Sequence, residues 1–130
     1  MSIDPGFVGC DVSKAHLDLF DGALGRAERI ANDAPAIAGF IERLRGRAVF
    51  VAFEATGRYD GALARALDAA GLPYARVNPA KARAFARATG RLAKTDAIDA
   101  RMLAAMAQAL RPAPAPPKSD ARARLAALVL

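Results

Sequence analysis

Cysteine and histidine, two side chains that often carry metal or nucleophilic chemistry, are nearly missing from this sequence. Its 130 residues include one cysteine, Cys10, and one histidine, His16. One cysteine cannot form an internal disulfide. With one histidine, neither a histidine-rich zinc site nor a Ser/His or Cys/His nucleophile system can be assembled. Cys10 lies in an apolar run, so we expect a buried strand residue in a reducing compartment.

Long apolar segments and nucleotide-binding loops are also missing. The first six residues have neither a basic nor a long apolar segment, and no stretch approaches the length of a membrane span. There is no P-loop and no GxGxxG motif. We therefore expect a soluble, cytoplasmic protein with no membrane partner.

Positive charge is in excess. The formal net charge is +6 and the isoelectric point is near 10.2, which suggests an anionic partner, most simply DNA or another nucleic acid. A basic surface that serves only solubility is the alternative. The length suits one domain with a real core, here residues 1–111. A proline-rich linker at 112–118 and the start of a helical segment at 119–130 follow.

Apolar runs and helical periodicities alternate along the chain and predict an α/β fold. Three strands are followed by a helix, a fourth strand, two helices around a short strand, and a last helix. The predicted strands cover 7–12, 16–20, 26–31, 48–53 and 74–77. Asn32-Asp33 and Asn78 are predicted helix caps, and Gly71 is predicted to end the second helix. Right-handed crossovers can place the first and fourth strands side by side, with the last helix across them.

Two carboxylates interrupt or end the strongest strand patterns. Asp11 lies inside the first apolar run, where an unpaired charge is costly. Glu54 ends the fourth strand just before a glycine turn, where open α/β sheets place ligand groups. A salt bridge for Asp11, and a strand-end charge that reaches water for Glu54, are the alternatives.

Two further carboxylates open the last helix, which we expect to begin near a Thr95 cap and to reach about Leu110. At about 100° per residue, Asp96 and Asp99 project onto the apolar stripe. That stripe includes Leu103, Met106 and Leu110, whereas Arg101, Ala104 and Gln108 fall on the other side. The alternative is two charges in the first turn of an ordinary helix, where the helix dipole favours them.

A basic stripe precedes this helix. Helical spacing gathers Arg83, Arg87 and Arg91, with Lys94 near them. We expect these residues, with Lys14 and Arg101, to contact a phosphate backbone. A solvated helix face is the alternative.

Four carboxylates without histidine form a hard-oxygen site, which suits Mg²⁺ or Mn²⁺. Two such ions about 4 Å apart activate an attacking water or hydroxyl and stabilise the leaving oxygen of a phosphodiester. The site predicted from Asp11, Glu54, Asp96 and Asp99 would therefore cleave a nucleic acid that the basic stripe holds.

The sequence also resembles a known family, the DEDD transposases of insertion sequences that move without long terminal inverted repeats and that are related to the Piv-type DNA invertases. The segments that carry the resemblance are 9–14 (GCDVSK), 53–57 (FEATG), 77–79 (VNP) and 88–100 (ATGRLAKTDAIDA). It implies a ribonuclease H-like fold of the RuvC resolvase type, a mixed sheet flanked by helices. It also implies that Asp11, Glu54, Asp96 and Asp99 are the catalytic, metal-binding tetrad.

The same resemblance implies partners and further parts of the enzyme. These are a structured guide RNA, a coiled-coil segment after the linker, and a C-terminal domain with a serine nucleophile. Apart from the resemblance, apolar residues near Leu130 suggest self-association, so we expect a homo-oligomer of the full-length protein. This chain would hold only the acidic half of a composite site for cutting and rejoining DNA.

Two other classes remain open. A Holliday-junction resolvase-like nuclease would use the same tetrad with water as the nucleophile. A non-catalytic nucleic-acid-binding module would keep the basic stripe and bind no metal. A sugar-kinase or actin-like nucleotide site would need a second copy of the fold, for which the chain is too short.

Overall fold

One mixed sheet of five strands forms the centre of the computed structural model, which describes residues 5–55, 58–90 and 99–116. The strands are β1 (Gly6–Val12), β2 (His16–Asp21), β3 (Arg26–Ala31), β4 (Val49–Glu54) and β5 (Tyr74–Val77). Their order across the sheet is β3-β2-β1-β4-β5. The first three strands pair antiparallel, whereas β1–β4 and β4–β5 are parallel. The expected pairing of the first and fourth strands is confirmed.

Four helices flank the sheet in the same described ranges. They are α1 (Ala34–Leu44), α2 (Gly61–Ala70), α3 (Pro79–Ala88) and α4 (Ala100–Leu110). The predicted caps are confirmed: the Asp33 side chain accepts a hydrogen bond from a backbone N–H in the first turn of α1, and Asn78 does the same for α3. Gly71 ends α2 at φ 68°, a left-handed conformation that favours glycine.

The two faces of the sheet bury different side chains, because residues alternate along a strand. One face packs against α1 and α2 and contains large apolar residues, including Val8, Val51 and Phe53. Cys10 belongs to this face and is fully buried, as expected. The other face packs against α3 and α4 through Phe7, Phe50, Ala52, Ala75 and Val77. Each fully buried large apolar side chain contributes about 1.5–3 kcal/mol.

Helix α4 lies directly on β1 at Gly9. A Cβ built on Gly9 would overlap the backbone carbonyl group of Ala100 and lie 2.7 Å from the backbone nitrogen of Ala104. The expectation that Ala104 faces solvent is therefore wrong: it is 3% exposed, because the missing side chain of Gly9 lets the helix backbone approach. Leu110, expected in the buried stripe, is 56% exposed at the far end of the helix.

The start of α4 also differs from the prediction. The helix begins at Ala100, and Asp99 is its N-cap in extended conformation, with its Oδ1 accepting a hydrogen bond of 2.9 Å from the Met102 N–H. Asp99 is thus not part of the helical stripe. A carboxylate that satisfies a free N–H of the first turn stabilises this end. The expected cap Thr95 lies outside the described residues.

Residues 112–116, the described part of the predicted linker, contain no helix or strand. The backbone N–H of Ala115 donates a hydrogen bond of 2.7 Å to the carbonyl of Tyr74 at the sheet edge. Residues 117–130, including the predicted helical segment, lie outside the described residues. None of the helices described above has the length and apolar character needed to cross a membrane.

Candidate metal and nucleic-acid site

Three of the four predicted ligands lie where the parallel strands β1 and β4 end, which we call the acidic edge of the sheet. Asp11 is the last residue but one of β1, Glu54 is the last residue of β4, and Asp99 immediately precedes α4. Since β1 and β4 are parallel, their carboxyl ends meet at this edge. Asp11 lies on the same strand face as Gly9, and Glu54 on the same face as Ala52, so both are on the side that α3 and α4 cover.

The pKa values of two of these groups show how the carboxylates interact. Burial raises the pKa of the Asp11 carboxyl, and the charges of Asp18 and Asp99 raise it further. Burial also raises the pKa of the Glu54 carboxyl; the cation of Arg83 opposes this, and Asp11 adds to it. Asp11 therefore interacts with Glu54 on one side and with Asp99 on the other.

Glu54 provides a direct test of whether these residues suit a cation. Its Oε1 atom is buried and has no hydrogen-bond partner among the described residues. A buried carboxylate oxygen without a partner is costly unless a proton or a cation compensates it. The helix cap uses only one of the two carboxylate oxygens of Asp99. The donor set consists only of carboxylate oxygens and fits Mg²⁺ or Mn²⁺.

The predicted ligands are not all brought together. Within residues 5–55, 58–90 and 99–116, no three acidic, cysteine or histidine side chains are grouped closely enough to hold one metal ion. Like charges oppose a closer approach when no cation is present. Asp96, the fourth predicted ligand, lies outside these ranges, as do the predicted phosphate contacts Arg91 and Lys94.

The other four predicted phosphate contacts are all exposed. Arg83 and Arg87 lie on one exposed side of α3, about 100° around the helix axis from the buried Ala82 and Ala86. Arg83 is close enough to Glu54 to influence its pKa. The basic face of α3 therefore lies beside the acidic edge of the sheet. Lys14 is exposed in the turn after β1.

Arg101, the last of these contacts, is exposed at the start of α4, and its guanidinium carbon lies 4.4 Å from the centroid of the Phe20 ring. At this distance the cation is attracted to the aromatic face. Arg101 is therefore held beside β2.

Asn32 connects the two strand ends that carry Asp11 and Glu54. Its side-chain amide donates to the carbonyl of Ser13, in the turn after β1, at 2.8 Å and to the carbonyl of Tyr59, in the segment after β4, at 2.9 Å. Both partners are acceptors, which defines the orientation of the amide. Sequence reasoning assigned Asn32 only a capping role.

Asp18 and Arg29 were also missed. Asp18 lies directly opposite Asp11 in the β1–β2 ladder and binds Arg29 on β3. The sequence could have predicted that Asp18 lies beside Asp11, because the short turn after Val12 pairs β1 with β2 and makes these two residues cross-strand neighbours. A cavity of about 360 Å³ opens here, with Asp11, Asp18, Phe20, Asp99 and Arg101 among its lining residues.

Comparison with solved structures finds the same fold in RuvC of Thermus thermophilus. RuvC in complex with a Holliday junction substrate superposes with a TM-score of 0.58 at 20% identity, over 86% of this chain and 100% of that chain. A second T. thermophilus RuvC structure gives 0.58 at 18% identity, over 84% of this chain and 99% of that one. The fold is ribonuclease H-like, as expected. No curated protein matches the chain significantly.

Family comparison agrees with the resemblance seen in the sequence. The family model DEDD_Tnp_IS110, described as a transposase, matches residues 8–130. The chain belongs to this transposase family.

Proposed function

We propose that this chain is the acidic, metal-binding part of the catalytic site of a DNA transposase, and that the complete enzyme cleaves and transfers DNA strands with Mg²⁺ or Mn²⁺, bound here as two ions. Family membership and the RuvC-like fold support a DNA transposase or nuclease domain. The observation that carries the metal-dependent step concerns the Oε1 atom of Glu54, at the same sheet edge as Asp11: this atom is buried and has no hydrogen-bond partner within the part of the chain that the structure describes.

The proposed ligands are Asp11, Glu54, Asp96 and Asp99. When bound, the ions supply an activated water or hydroxyl and neutralise charge on the leaving oxygen of a phosphodiester. The residues of the chain orient these oxygens. β1 and β4 fix Asp11 and Glu54 on a rigid sheet, and the cap of α4 fixes Asp99.

DNA is the proposed substrate. The exposed Arg83 of α3 lies near Glu54 and, with Arg87 on the same side of the helix, supports a phosphate contact there. Lys14, Arg91, Lys94 and Arg101 extend the proposed contact surface. The family resemblance extends the proposal to a structured guide RNA and to a further domain with the serine nucleophile. We also propose that the full-length protein is a homo-oligomer. We therefore do not expect this chain alone to recombine DNA.

Calorimetric titration with Mn²⁺ at neutral pH tests the metal site. The variants Asp11→Asn, Glu54→Gln and Asp99→Asn should each abolish or strongly weaken binding. Asn is a good N-cap, so Asp99→Asn removes the charge without loss of the cap. Glu42→Gln is the control, because Glu42 pairs with Arg45 on the exposed face of α1.

The outcomes separate the open classes. Binding that the three site variants abolish and the control retains supports one site built from distant carboxylates. If the unmodified chain binds no Mn²⁺, with or without added DNA, the metal-dependent function is wrong and a binding module is left. Mn²⁺-dependent nicking of plasmid DNA by this chain alone would favour a resolvase-like nuclease with water as the nucleophile.

A further inference from the structure

Strand β2 presents two side chains toward the acidic edge. Asp18 and Phe20 are two residues apart and therefore lie on the same face of the strand. Asp18 is the cross-strand partner of Asp11, so this is also the face of the proposed metal ligands. Both side chains line the same cavity of about 360 Å³ as Asp11 and Asp99.

Each of these two side chains holds an arginine. The Nε and Nη2 atoms of Arg29 donate to the two carboxylate oxygens of Asp18 at 2.7 and 3.2 Å, a two-point contact that fixes the plane of the guanidinium. The Arg101 guanidinium carbon lies 4.4 Å from the Phe20 ring centroid. Two cations are thus oriented beside the carboxylates, one from β3 and one from α4.

Stability alone gives a weak reason for the Asp18–Arg29 pair. The Arg29 side chain is 62% exposed, and exposed ion pairs contribute little to stability. A carboxylate directly opposite Asp11 also adds repulsion to an already crowded site. The contact with Asp18 uses two of the five N–H donors of the guanidinium and leaves three for another anion.

The position of Arg29 relates it to the proposed path of DNA. In the sheet order, β3 lies on one side of β1 and β4, which carry Asp11 and Glu54. Arg83 of α3 is near Glu54 and so lies on the β4 side of the carboxylates. The row of carboxylates therefore has Arg29 of β3 at one end and Arg83 of α3 at the other.

We propose that Arg29, oriented by Asp18, and Arg101, oriented by Phe20, form a second phosphate-binding subsite for DNA on the β2–β3 side of the carboxylates. A DNA backbone bound both at this subsite and at α3 would cross the acidic edge, with one cationic contact on each side of the carboxylates. The proposal rests on the proposed function, since it takes DNA as the substrate of this edge.

Salt-dependent DNA binding tests the subsite. Fluorescence anisotropy of a labelled duplex is measured over a series of salt concentrations for the unmodified chain, Arg29→Ala and Arg29→Lys. Loss of one phosphate contact should weaken binding and reduce the slope of log affinity against log salt by about 0.9. Arg29→Lys keeps the charge and should restore most of the slope. Arg45→Ala is the matched control, an exposed arginine paired with a carboxylate on α1, and should leave the slope unchanged.

Mn²⁺ titration of the same variants separates a phosphate contact from a structural role. Arg29→Ala removes a cation near Asp11 and should bind Mn²⁺ at least as well as the unmodified chain. An unchanged salt slope, a slope that lysine does not restore, or a loss of Mn²⁺ binding would each overturn the subsite. If the unmodified chain and Arg45→Ala show no salt-dependent binding, the proposed function itself fails, and the subsite fails with it.

Discussion

Gly9 sets how closely α4 approaches the sheet, so Gly9→Ala should separate the two elements that carry Asp11 and Asp99. An alanine Cβ at this position would overlap the carbonyl group of Ala100 and lie 2.7 Å from the backbone nitrogen of Ala104, whereas ordinary contact begins at 3.4 Å. Both neighbours are helix backbone and cannot rotate away. The whole start of α4 must therefore shift.

The cost of this shift follows from packing. Overpacked cores typically lose 1–3 kcal/mol. Because the obstacle at Gly9 is backbone, we expect a loss of about 3 kcal/mol for Gly9→Ala. Displacement of the helix start also moves Asp99 relative to Asp11, so Mn²⁺ affinity should fall as well. Urea denaturation measures the first effect, and calorimetry below the unfolding transition measures the second.

Gly39→Ala is the control for this prediction. Gly39 lies inside α1, and a Cβ there meets nothing within 4 Å. Alanine inside a helix is favoured over glycine by roughly 0.5–1 kcal/mol, so this variant should be more stable and should bind Mn²⁺ normally. A Gly9→Ala variant with unchanged stability and unchanged Mn²⁺ affinity would refute the claim that this close approach positions the site.

Three other substitutions have defined outcomes. Asp11→Asn should stabilise the metal-free chain at neutral pH. Burial raises the pKa of the Asp11 carboxyl in the folded chain, so the stability of the folded chain falls as pH rises from the ordinary pKa of an aspartate to this raised pKa. Thermal melts at acidic and neutral pH should therefore show a gain for Asp11→Asn only at neutral pH. Asn32→Ala should cost about 1 kcal/mol in urea denaturation and weaken Mn²⁺ binding, and Asn32→Asp should be worse, because a carboxylate cannot donate to the two carbonyls. Arg76→Ala removes the guanidinium that lies 2.9 Å from the buried Asp60 carboxylate. Urea denaturation should show a loss of about 2 kcal/mol in the free energy of unfolding, less than for a fully buried pair because Arg76 is partly exposed. As the control, Arg45→Ala should lie within about 0.5 kcal/mol of the unmodified chain.

The elements that the sequence predicted well are determined by local chemistry. The apolar runs of β1 and β4 are long enough and rich enough in large residues to require burial on both faces. Asp33, Asn78 and Gly71 stop or start helices through contacts with their own neighbouring backbone. None of these features depends on a distant part of the chain.

The start of α4 could not be predicted in this way. Thr95 and Asp99 are both acceptable caps, and local pattern does not choose between them. The structure resolves the choice through a tertiary contact, since the backbone of Ala100 rests on Gly9, 91 positions earlier in the chain. The helical-wheel argument placed Asp99 in the apolar stripe, whereas Asp99 precedes the helix as its N-cap. The metal-binding role of Asp99 stays a prediction.

The Asp18–Arg29 pair was missed for a different reason. Its significance depends on strand register, which places Asp18 opposite Asp11 and Arg29 opposite Asp18 across three strands. Composition and motif spacing contain no such information. The short turn after β1 does contain it, because the pairing of β1 with β2 follows from the turn.

The two faces of the sheet differ in their contents: one is packed with large apolar side chains, and the other carries the proposed metal ligands. The α1–α2 face buries Leu, Ile and Phe side chains at high density, and this apolar burial offsets the cost of gathering carboxylates on the opposite side. The α3–α4 face instead relies on Gly9, Ala52 and Ala104, whose small size brings helix backbone close to the strands and so brings Asp99 near Asp11. Neutralising a carboxylate should therefore remove metal binding yet relieve repulsion, whereas enlarging a small residue on this face should harm both the fold and the site.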